Sequence, residues 1–247
     1  MYNECAKLYD SPLRDQFSRQ CFKVCVKVLK GRAIFPPAPV VDLGSGTGLL
    51  SRLLSEEGFS VTGVDLSERM MEIARNRCIS LDPHPEFVVD DIRCFRRREA
   101  FRGAFCFGDV LNHLLLPADL AQLFSSVFYS LAPGGVFLAD TTTLEAYRSD
   151  LWRARGLSEE RDGLKVTISS DFEVESDLGW IEVRAQSGDS VTIERMEQRY
   201  HPRELIASLL KDAGFRDVVW QGFDPLPELA KCGTIKNCWM GIKPIAG

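Results

Sequence analysis

The sequence predicts an α/β protein with a doubly wound, mostly parallel sheet of seven strands and a small antiparallel β insertion. Strand and helix signals alternate over residues 39–140, which is typical of parallel strands joined by crossover helices. Beyond this range apolar residues recur at every second position, which is typical of antiparallel strands. A chain of 247 residues, 45% of them hydrophobic, can bury one sizeable core. We therefore expect 1–150 and 201–247 to form the core and 151–200 to form the insertion.

The predicted elements follow one another as apolar runs separated by turn signals. Helical spacing from Gln16 to Leu29 places an amphipathic helix before the sheet. The alternating part contains five predicted strands, near 40–43, 60–65, 86–90, 104–108 and 135–140.

The insertion is predicted as a meander of three strands with turns between them. These strands are 164–168, 180–185 and 191–197. A helix begins near Pro202, because proline is favoured in the first helical turn. The last two strands are expected at 215–221 and 235–242.

The most informative stretch lies between the first strand and the next helix, at residues 40–48, Val-Val-Asp-Leu-Gly-Ser-Gly-Thr-Gly. Glycine permits unusual backbone dihedrals, so a ligand can approach the backbone N–H groups at the start of the helix. A nucleotide-like cofactor is implied. The spacing is Gly-x-Gly-x-Gly, whereas proteins that bind dinucleotides carry Gly-x-Gly-x-x-Gly. The loop is therefore not shaped in the usual way for a pyrophosphate.

A second acid strengthens this interpretation. Asp65 ends the second predicted strand, about 20 residues beyond the glycines, where nucleotide-binding folds place an acid for the ribose hydroxyls. A carboxylate has two acceptor oxygens, so it suits a pair of hydroxyl donors.

The glycine motif and the second acid together resemble the class I S-adenosylmethionine-dependent methyltransferases. Further matching segments follow in order, at 87–93, 105–113, 131–138 and 209–215. The resemblance covers most of the chain from Tyr2 to about Lys243 and implies a Rossmann-like fold. Within this family the chain resembles small-molecule enzymes, including the amino-sugar N-methyltransferases. In those enzymes a β insertion after strand five forms a roof over the substrate or a dimer contact.

The resemblance implies S-adenosylmethionine as the cofactor and assigns residues to each part of it. Met70 could equally be a core residue, Asp109 could merely cap a turn, and Asp90 could replace Asp91 at the adenine. Tyr2 and Tyr9 match aromatic positions of an N-terminal segment that folds over the cofactor. The predicted contacts are Asp42, Gly44, Ser45, Gly46 and Thr47 for the methionine part, Asp65 for the ribose hydroxyls, Leu66 and Met70 for the ribose or the adenine, Asp91 and Ile92 for the adenine, Gly108 and Asp109 beside the sulfonium, and Tyr9.

Two residues after the fourth strand are candidates for catalysis, His113 and Asn112. A histidine with a near-neutral pKa would suit proton removal from an ammonium or hydroxyl group. Alternatively, His113 is bonded locally at a helix start, or either residue orients the substrate. The methyl donor is already activated, so positioning is the main catalytic task and a general base is not required.

Composition limits the partners. The formal charge of −5 and the pI near 5.4 make a nucleic-acid substrate unlikely, and we interpret the basic cluster at 96–98 as a solvated loop. No Cys-x-x-Cys pair occurs and the three histidines are dispersed, so no metal site is predicted. With no signal peptide or membrane span apparent, we expect a cytoplasmic monomer or homodimer.

The predicted function is methyl transfer from S-adenosylmethionine to a nitrogen or oxygen of a small-molecule acceptor. One alternative is a non-catalytic module that binds S-adenosylmethionine. Another is a nicotinamide-dependent oxidoreductase, which would explain the first βαβ unit but not the glycine spacing.

Overall fold

The computed structural model describes residues 10–150, 152, 157–161, 164–225 and 234–245. Tyr2 and Tyr9 lie outside these ranges. The helices are α1 Pro12–Gly31, α2 Leu49–Glu56, α3 Glu68–Cys78, α4 Pro117–Ser130, α5 Leu144–Arg148 and α6 Arg203–Asp212. The strands are β1 Pro39–Leu43, β2 Ser60–Asp65, β3 Glu86–Val89, β4 Phe101–Cys106, β5 Leu131–Thr142, β6 Leu157–Arg161, β7 Leu164–Glu173, β8 Leu178–Ser187, β9 Ser190–Arg199, β10 Arg216–Phe223 and β11 Lys236–Ile242.

Helix α1 begins four residues before the predicted start. The Ser11 side chain caps it by accepting a hydrogen bond from the Arg14 N–H at 3.2 Å, and Pro12 occupies the first turn. Phe17, Cys21 and neighbouring residues bury one face of the helix against the sheet.

The main sheet has seven strands in the order β10-β11-β5-β4-β1-β2-β3. Strands β5, β4, β1, β2 and β3 pair in parallel, and β11 and β10 join the β5 edge antiparallel. This confirms the predicted fold class. The direction of strand order reverses between β1 and β4, and ligands of such sheets bind beyond the carboxyl ends of the strands at this point.

Helices cover both faces of the main sheet and form a separate hydrophobic core on each face. On one face α1 and α2 pack over β1, β4 and β5, through Phe17 and Leu54 among others. On the other face α4 and α6 pack through Phe124 and Leu210. Among the described helices, none combines the length and apolar content required to cross a membrane.

The antiparallel sheet has four strands in the order β6-β7-β8-β9, one more than predicted. The missed strand, β6, reads Leu-Ser-Glu-Glu-Arg and so has no alternation of apolar residues. It forms by pairing its backbone with β7, from Leu157 opposite Ile168 to Arg161 opposite Leu164. Charged residues are common on edge strands because they oppose further pairing.

The second sheet is anchored at the carboxyl edge of the first. The Tyr147 ring of α5 stacks on Phe172 of β7 with centroids 4.8 Å apart, and Trp152 meets Tyr147 edge-on at 4.5 Å. A 3₁₀ turn, Val110–His113, follows β4 and also contacts β9. The insertion therefore stands at the edge where the glycine loop lies.

Candidate active site

The glycine loop has the backbone conformation that its sequence predicts. Gly44, Gly46 and Gly48 have φ values of +71°, +53° and +76°, in the left-handed region that glycine tolerates best. A Cβ on Gly44 would lie 2.5 Å from a methyl group of Val110. The loop thus needs glycine both for its conformation and for its close packing.

Asp65 joins the loop to the end of β2. One carboxylate oxygen accepts the Gly46 N–H at 3.0 Å, and the other accepts the Ser67 N–H at 2.9 Å. Burial raises the pKa of Asp65, and these two hydrogen bonds oppose the rise. Each oxygen retains acceptor capacity, so the side chain fits a pair of ribose hydroxyls.

The methionine side of the loop is organised by two other acids. Asp42 is buried and accepts a hydrogen bond from Ser51 at 2.6 Å, and burial raises its pKa to about 6. The Thr47 hydroxyl donates to Asp10 at 2.6 Å. Arg77 of α3 bonds both the Asp10 carboxylate and the Thr47 carbonyl, which ties the start of the described chain to the loop.

A cleft lies between this loop and α1. The loop contributes its backbone and small side chains, and α1 contributes Arg14 and Phe17. An Arg14 nitrogen is 3.7 Å from the point where a Cβ of Gly108 would stand. The lining residues are Arg14, Phe17, Ser18, Cys21, Asp42, Gly44, Ser45, Thr47, Leu49, Leu50, Phe107 and Gly108.

The predicted adenine side lies past β2 and β3. Asp91 is held by Arg93, whose guanidinium bonds both carboxylate oxygens and lowers the pKa of Asp91. Asp90 accepts the N–H of Asp91 at 2.7 Å, and Ile92 packs partly buried against the core. Both acids lie at this end of the sheet, so the choice between them stays open.

Two apolar residues after β2 have different surroundings. Leu66 is 63% exposed beside Asp65, where a flat apolar ligand group could cover it. Met70 is 1% exposed and packs with Met71, Ala74 and Phe87. This burial favours the alternative that Met70 is a core residue, and its contact with the cofactor stays a prediction.

Gly108 and Asp109 form a tight turn after β4, with φ values of +91° and +66°. The Gly108 N–H donates to Asp140 at 2.8 Å. Asp109 bonds the Thr142 hydroxyl and forms an ion pair with Lys236. This is more than a turn cap, because the carboxylate is tied to two further strands.

Asn112 is fully buried and joins three elements. Its amide nitrogen donates to the Arg199 carbonyl at 2.9 Å, and its amide oxygen accepts the Thr142 N–H at 3.0 Å. Both ends of the side chain hold backbone groups. This placement gives Asn112 a positioning role and does not support a direct part in proton transfer.

His113 contacts β9 through both ring nitrogens. Nδ1 lies 3.0 Å from the Glu197 carbonyl, and Nε2 lies 3.2 Å from the amide nitrogen of Gln198. Since a carbonyl only accepts, Nδ1 carries the proton and Nε2 accepts from Gln198. Burial lowers the pKa of His113, which favours this neutral form. These bonds make His113 a link to the second sheet and do not support it as a general base.

Sequence reasoning missed Lys236 and Gln198. Lys236 begins β11, and its ammonium lies between Asp109 and Asp140. A lysine opening an otherwise apolar strand was the available signal, since a buried charge requires a partner. Gln198 left no comparable signal, because an amide in an alternating strand is ordinary.

Comparisons with known proteins agree with this geometry. A methyltransferase-domain family matches residues 40–135. YqeM of Bacillus subtilis, named as a methyltransferase, is 30% identical over 182 residues, covering 72% of this chain and 73% of that protein. A demethylmenaquinone methyltransferase of Tropheryma whipplei is 38% identical over 126 residues, covering 43% of this chain and 50% of its own length.

Solved structures share the fold. An S-adenosylmethionine-dependent methyltransferase from Clostridium acetobutylicum superposes with a TM-score of 0.77 at 22% identity, over 99% of both chains. CalS10, an amino pentose methyltransferase from Micromonospora echinaspora with S-adenosylmethionine bound, gives 0.71 at 19% identity, over 92% of this chain and 91% of its own. Together with the glycine loop and the match to YqeM, these findings identify the chain as a class I S-adenosylmethionine-dependent methyltransferase.

Proposed function

We propose that this enzyme methylates a nitrogen or oxygen of a small-molecule acceptor that binds between the cofactor and the antiparallel sheet. The observation that carries the proposal is the attachment of that sheet. Asn112 and His113 bond β9 directly behind the turn that ends β4, so the second sheet overhangs the edge that holds the glycine loop. A compact roof of this kind suits a small acceptor.

The matched proteins support a small acceptor of either kind. CalS10 is described as an amino pentose methyltransferase and KedS8 as a sugar N-methyltransferase. A ubiquinone biosynthesis O-methyltransferase of Colwellia psychrerythraea is 25% identical over 133 residues. Nitrogen and oxygen acceptors are both represented.

The residues at the carboxyl edge fit the cofactor. Gly44, Ser45 and Thr47 of the glycine loop line the cleft between this loop and α1. We assign the parts of the cofactor as follows: Asp42, Gly44, Ser45, Gly46 and Thr47 to the methionine part, Asp65 and Leu66 to the ribose, Asp91 and Ile92 to the adenine, and Gly108 and Asp109 to the region of the sulfonium.

Held by these residues, the cofactor would supply an electrophilic methyl group. The protein has to align the acceptor and exclude water. Alignment alone is worth roughly 7–11 kcal/mol of the barrier. Asn112 and His113 contribute by holding the β4 turn against the second sheet. The expected cytoplasmic location, the absence of a nucleic-acid partner and a monomeric or homodimeric state remain predictions.

Asp65→Ala tests the cofactor assignment. The variant loses the acceptor for two ligand hydroxyls and for the Gly46 N–H, so we expect S-adenosylhomocysteine to bind weaker by about 2–4 kcal/mol. Titration calorimetry measures this. Asp189→Ala, in the exposed turn between β8 and β9, is the matched control and should bind normally. Unchanged affinity in a folded Asp65→Ala protein would remove Asp65 from the site.

A further inference from the structure

Three charged residues form a buried cluster behind the cleft. Lys236 Nζ lies 2.7 Å from Asp140 Oδ2 and forms a hydrogen-bonded ion pair with Asp109 Oδ1. Because β11 runs antiparallel to β5, its first residue lies at the carboxyl edge where β4 and β5 end. Lys236 Nζ also stands 5.4 Å from the ring centre of Phe17, which lines the cleft.

The cluster holds an unfavourable backbone conformation. Asp109 has a φ of +66°, in the left-handed region that non-glycine residues rarely adopt. Asp140 Oδ1 accepts the N–H groups of Gly108 and Asp109, at 2.8 and 3.4 Å. Such conformations persist where the surrounding structure enforces them, and they cluster at functional sites.

Only one of the two carboxylates can meet a ligand. The Asp140 side chain has no exposed surface, whereas that of Asp109 is 16% exposed. The hydrogen bonds that Lys236 and Thr142 donate to the Asp109 carboxylate both go to Oδ1. Oδ2 is therefore the oxygen that the cluster leaves for a ligand next to Gly108.

The groups at this edge suit an amine better than a hydroxyl acceptor. Burial by itself would raise the pKa of Asp109, but the charge and hydrogen bond of Lys236 outweigh it and lower the pKa to about 2. A carboxylate this acidic binds N–H donors but is a poor base for a hydroxyl group. His113, the other candidate base, uses both nitrogens to bond β9.

We propose that Asp109 Oδ2 binds the N–H of an amine acceptor at the point of methyl transfer. Lys236 is the positioning residue, because its ion pair holds the Asp109 carboxylate in place for this contact. The inference rests on the proposed function and narrows it to N-methylation. The neutral amine uses its lone pair to form the new N–C bond, while the C–S bond of the methyl donor breaks and its electron pair stays on sulfur. The resulting ammonium then releases one proton to water, so no strong base is needed.

Sinefungin tests the placement of Asp109 without turnover. This cofactor analogue carries a protonated amine where S-adenosylmethionine carries its methyl group. If Asp109 faces that point, the full-length protein binds sinefungin more tightly than S-adenosylhomocysteine by at least about tenfold, the value of one charge-assisted hydrogen bond. Titration calorimetry with both ligands gives the ratio.

Three variants show whether the preference comes from this cluster. Asp109→Asn keeps the Lys236–Asp140 pair, and we expect it to bring the affinities for sinefungin and S-adenosylhomocysteine within about twofold of each other. Lys236→Arg keeps a cation beside Asp109 and should retain the preference. Asp189→Asn makes the same chemical change at an exposed position and should behave as the wild type. Equal affinities in the wild type, or a preference that survives Asp109→Asn, would overturn the proposal.

Transfer of labelled methyl groups then tests the acceptor class. The wild type is incubated with labelled S-adenosylmethionine and either a pool of amino sugars and alkylamines or a matched pool of sugars and phenols. Label in the amine pool supports the proposal, and label in the hydroxyl pool overturns it. Either result leaves the proposed function intact. That function fails separately if S-adenosylhomocysteine does not bind.

Discussion

Single residues determine the shape of the glycine loop. Gly44 combines a φ of +71° with a neighbouring methyl group that a Cβ would approach to 2.5 Å. Conformation and packing thus impose the same requirement. Few positions in a chain are restricted twice in this way, which makes Gly44 a sensitive place to perturb the site.

Gly44→Ala should therefore lower the free energy of unfolding by about 2–4 kcal/mol and weaken the binding of S-adenosylhomocysteine. Urea denaturation and calorimetry measure the two effects. Gly31→Ala is the matched control, because a Cβ there meets nothing within 4 Å. A Gly44→Ala protein as stable as the Gly31→Ala protein would contradict the strained-loop interpretation.

Asp42 makes stability depend on pH. Burial raises its pKa from 3.8 to about 6, so the folded state holds a proton that the unfolded state has lost over this interval. This contribution to stability is therefore present at low pH and lost as the pH rises through the interval. A shift of this size corresponds to about 3 kcal/mol.

We expect Asp42→Asn to remove this dependence. The free energy of unfolding of the variant minus that of the wild type should be greater at pH 7.5 than at pH 4.0, by up to about 3 kcal/mol. Urea denaturation at both pH values measures the difference. The same relative stability at the two pH values would mean that Asp42 titrates normally.

At the scale of elements, the 3₁₀ turn after β4 connects the two sheets. Its residue Asn112 bonds β5 through the Thr142 N–H and β9 through the Arg199 carbonyl. Neither bond lies within one sheet. We therefore expect this turn to determine how the antiparallel sheet is positioned at the carboxyl edge of the main sheet.

Asn112→Ala should leave both backbone groups without their side-chain partner and destabilise the protein by about 2–4 kcal/mol. Hydrogen exchange of the Thr142 amide should become faster. Gln122→Ala, which removes an exposed amide from α4, is the control and should leave that exchange rate unchanged. Unaltered protection of Thr142 in Asn112→Ala would show that the turn is held by other contacts.

At the scale of the whole molecule, the two sheets carry different groups. The main sheet carries the glycine loop, Asp65 and the buried ion cluster, whereas the antiparallel sheet contacts the 3₁₀ turn and α5. We expect the first sheet to determine cofactor recognition. We expect the second to determine which acceptor is methylated.

Replacing residues 152–200 by a short Gly/Ser loop tests this division. S-adenosylhomocysteine should bind within a few-fold of the wild-type affinity, while methyl transfer to the accepted substrate should be lost. Calorimetry and a labelled-methyl assay give the two values, and gel filtration reports the oligomeric state. A stable monomer that still methylates normally would instead identify the insertion as an interface.

Local sequence patterns determined most of the fold. Apolar periodicity placed the seven strands of the main sheet and its covering helices, because each pattern reflects one element burying one face. The glycine spacing likewise predicted the loop, since backbone conformation is a local property. The strand β6 was missed because a polar edge strand forms through its neighbour's backbone and leaves no periodic signal.

Tertiary structure decided what the side chains at the edge touch. Lys236 and Asp109 are 127 positions apart, and His113 and Gln198 are 85 apart, so no local pattern relates them. The burial of Met70 likewise depends on how its helix packs against its neighbours. The sequence by itself determined the glycine loop at this edge and predicted that a nucleotide-like cofactor binds there. Only the tertiary structure decided that Asp109 forms an ion pair with a buried lysine and that His113 is hydrogen-bonded to the second sheet. These contacts depend on which strand ends become neighbours in the folded chain.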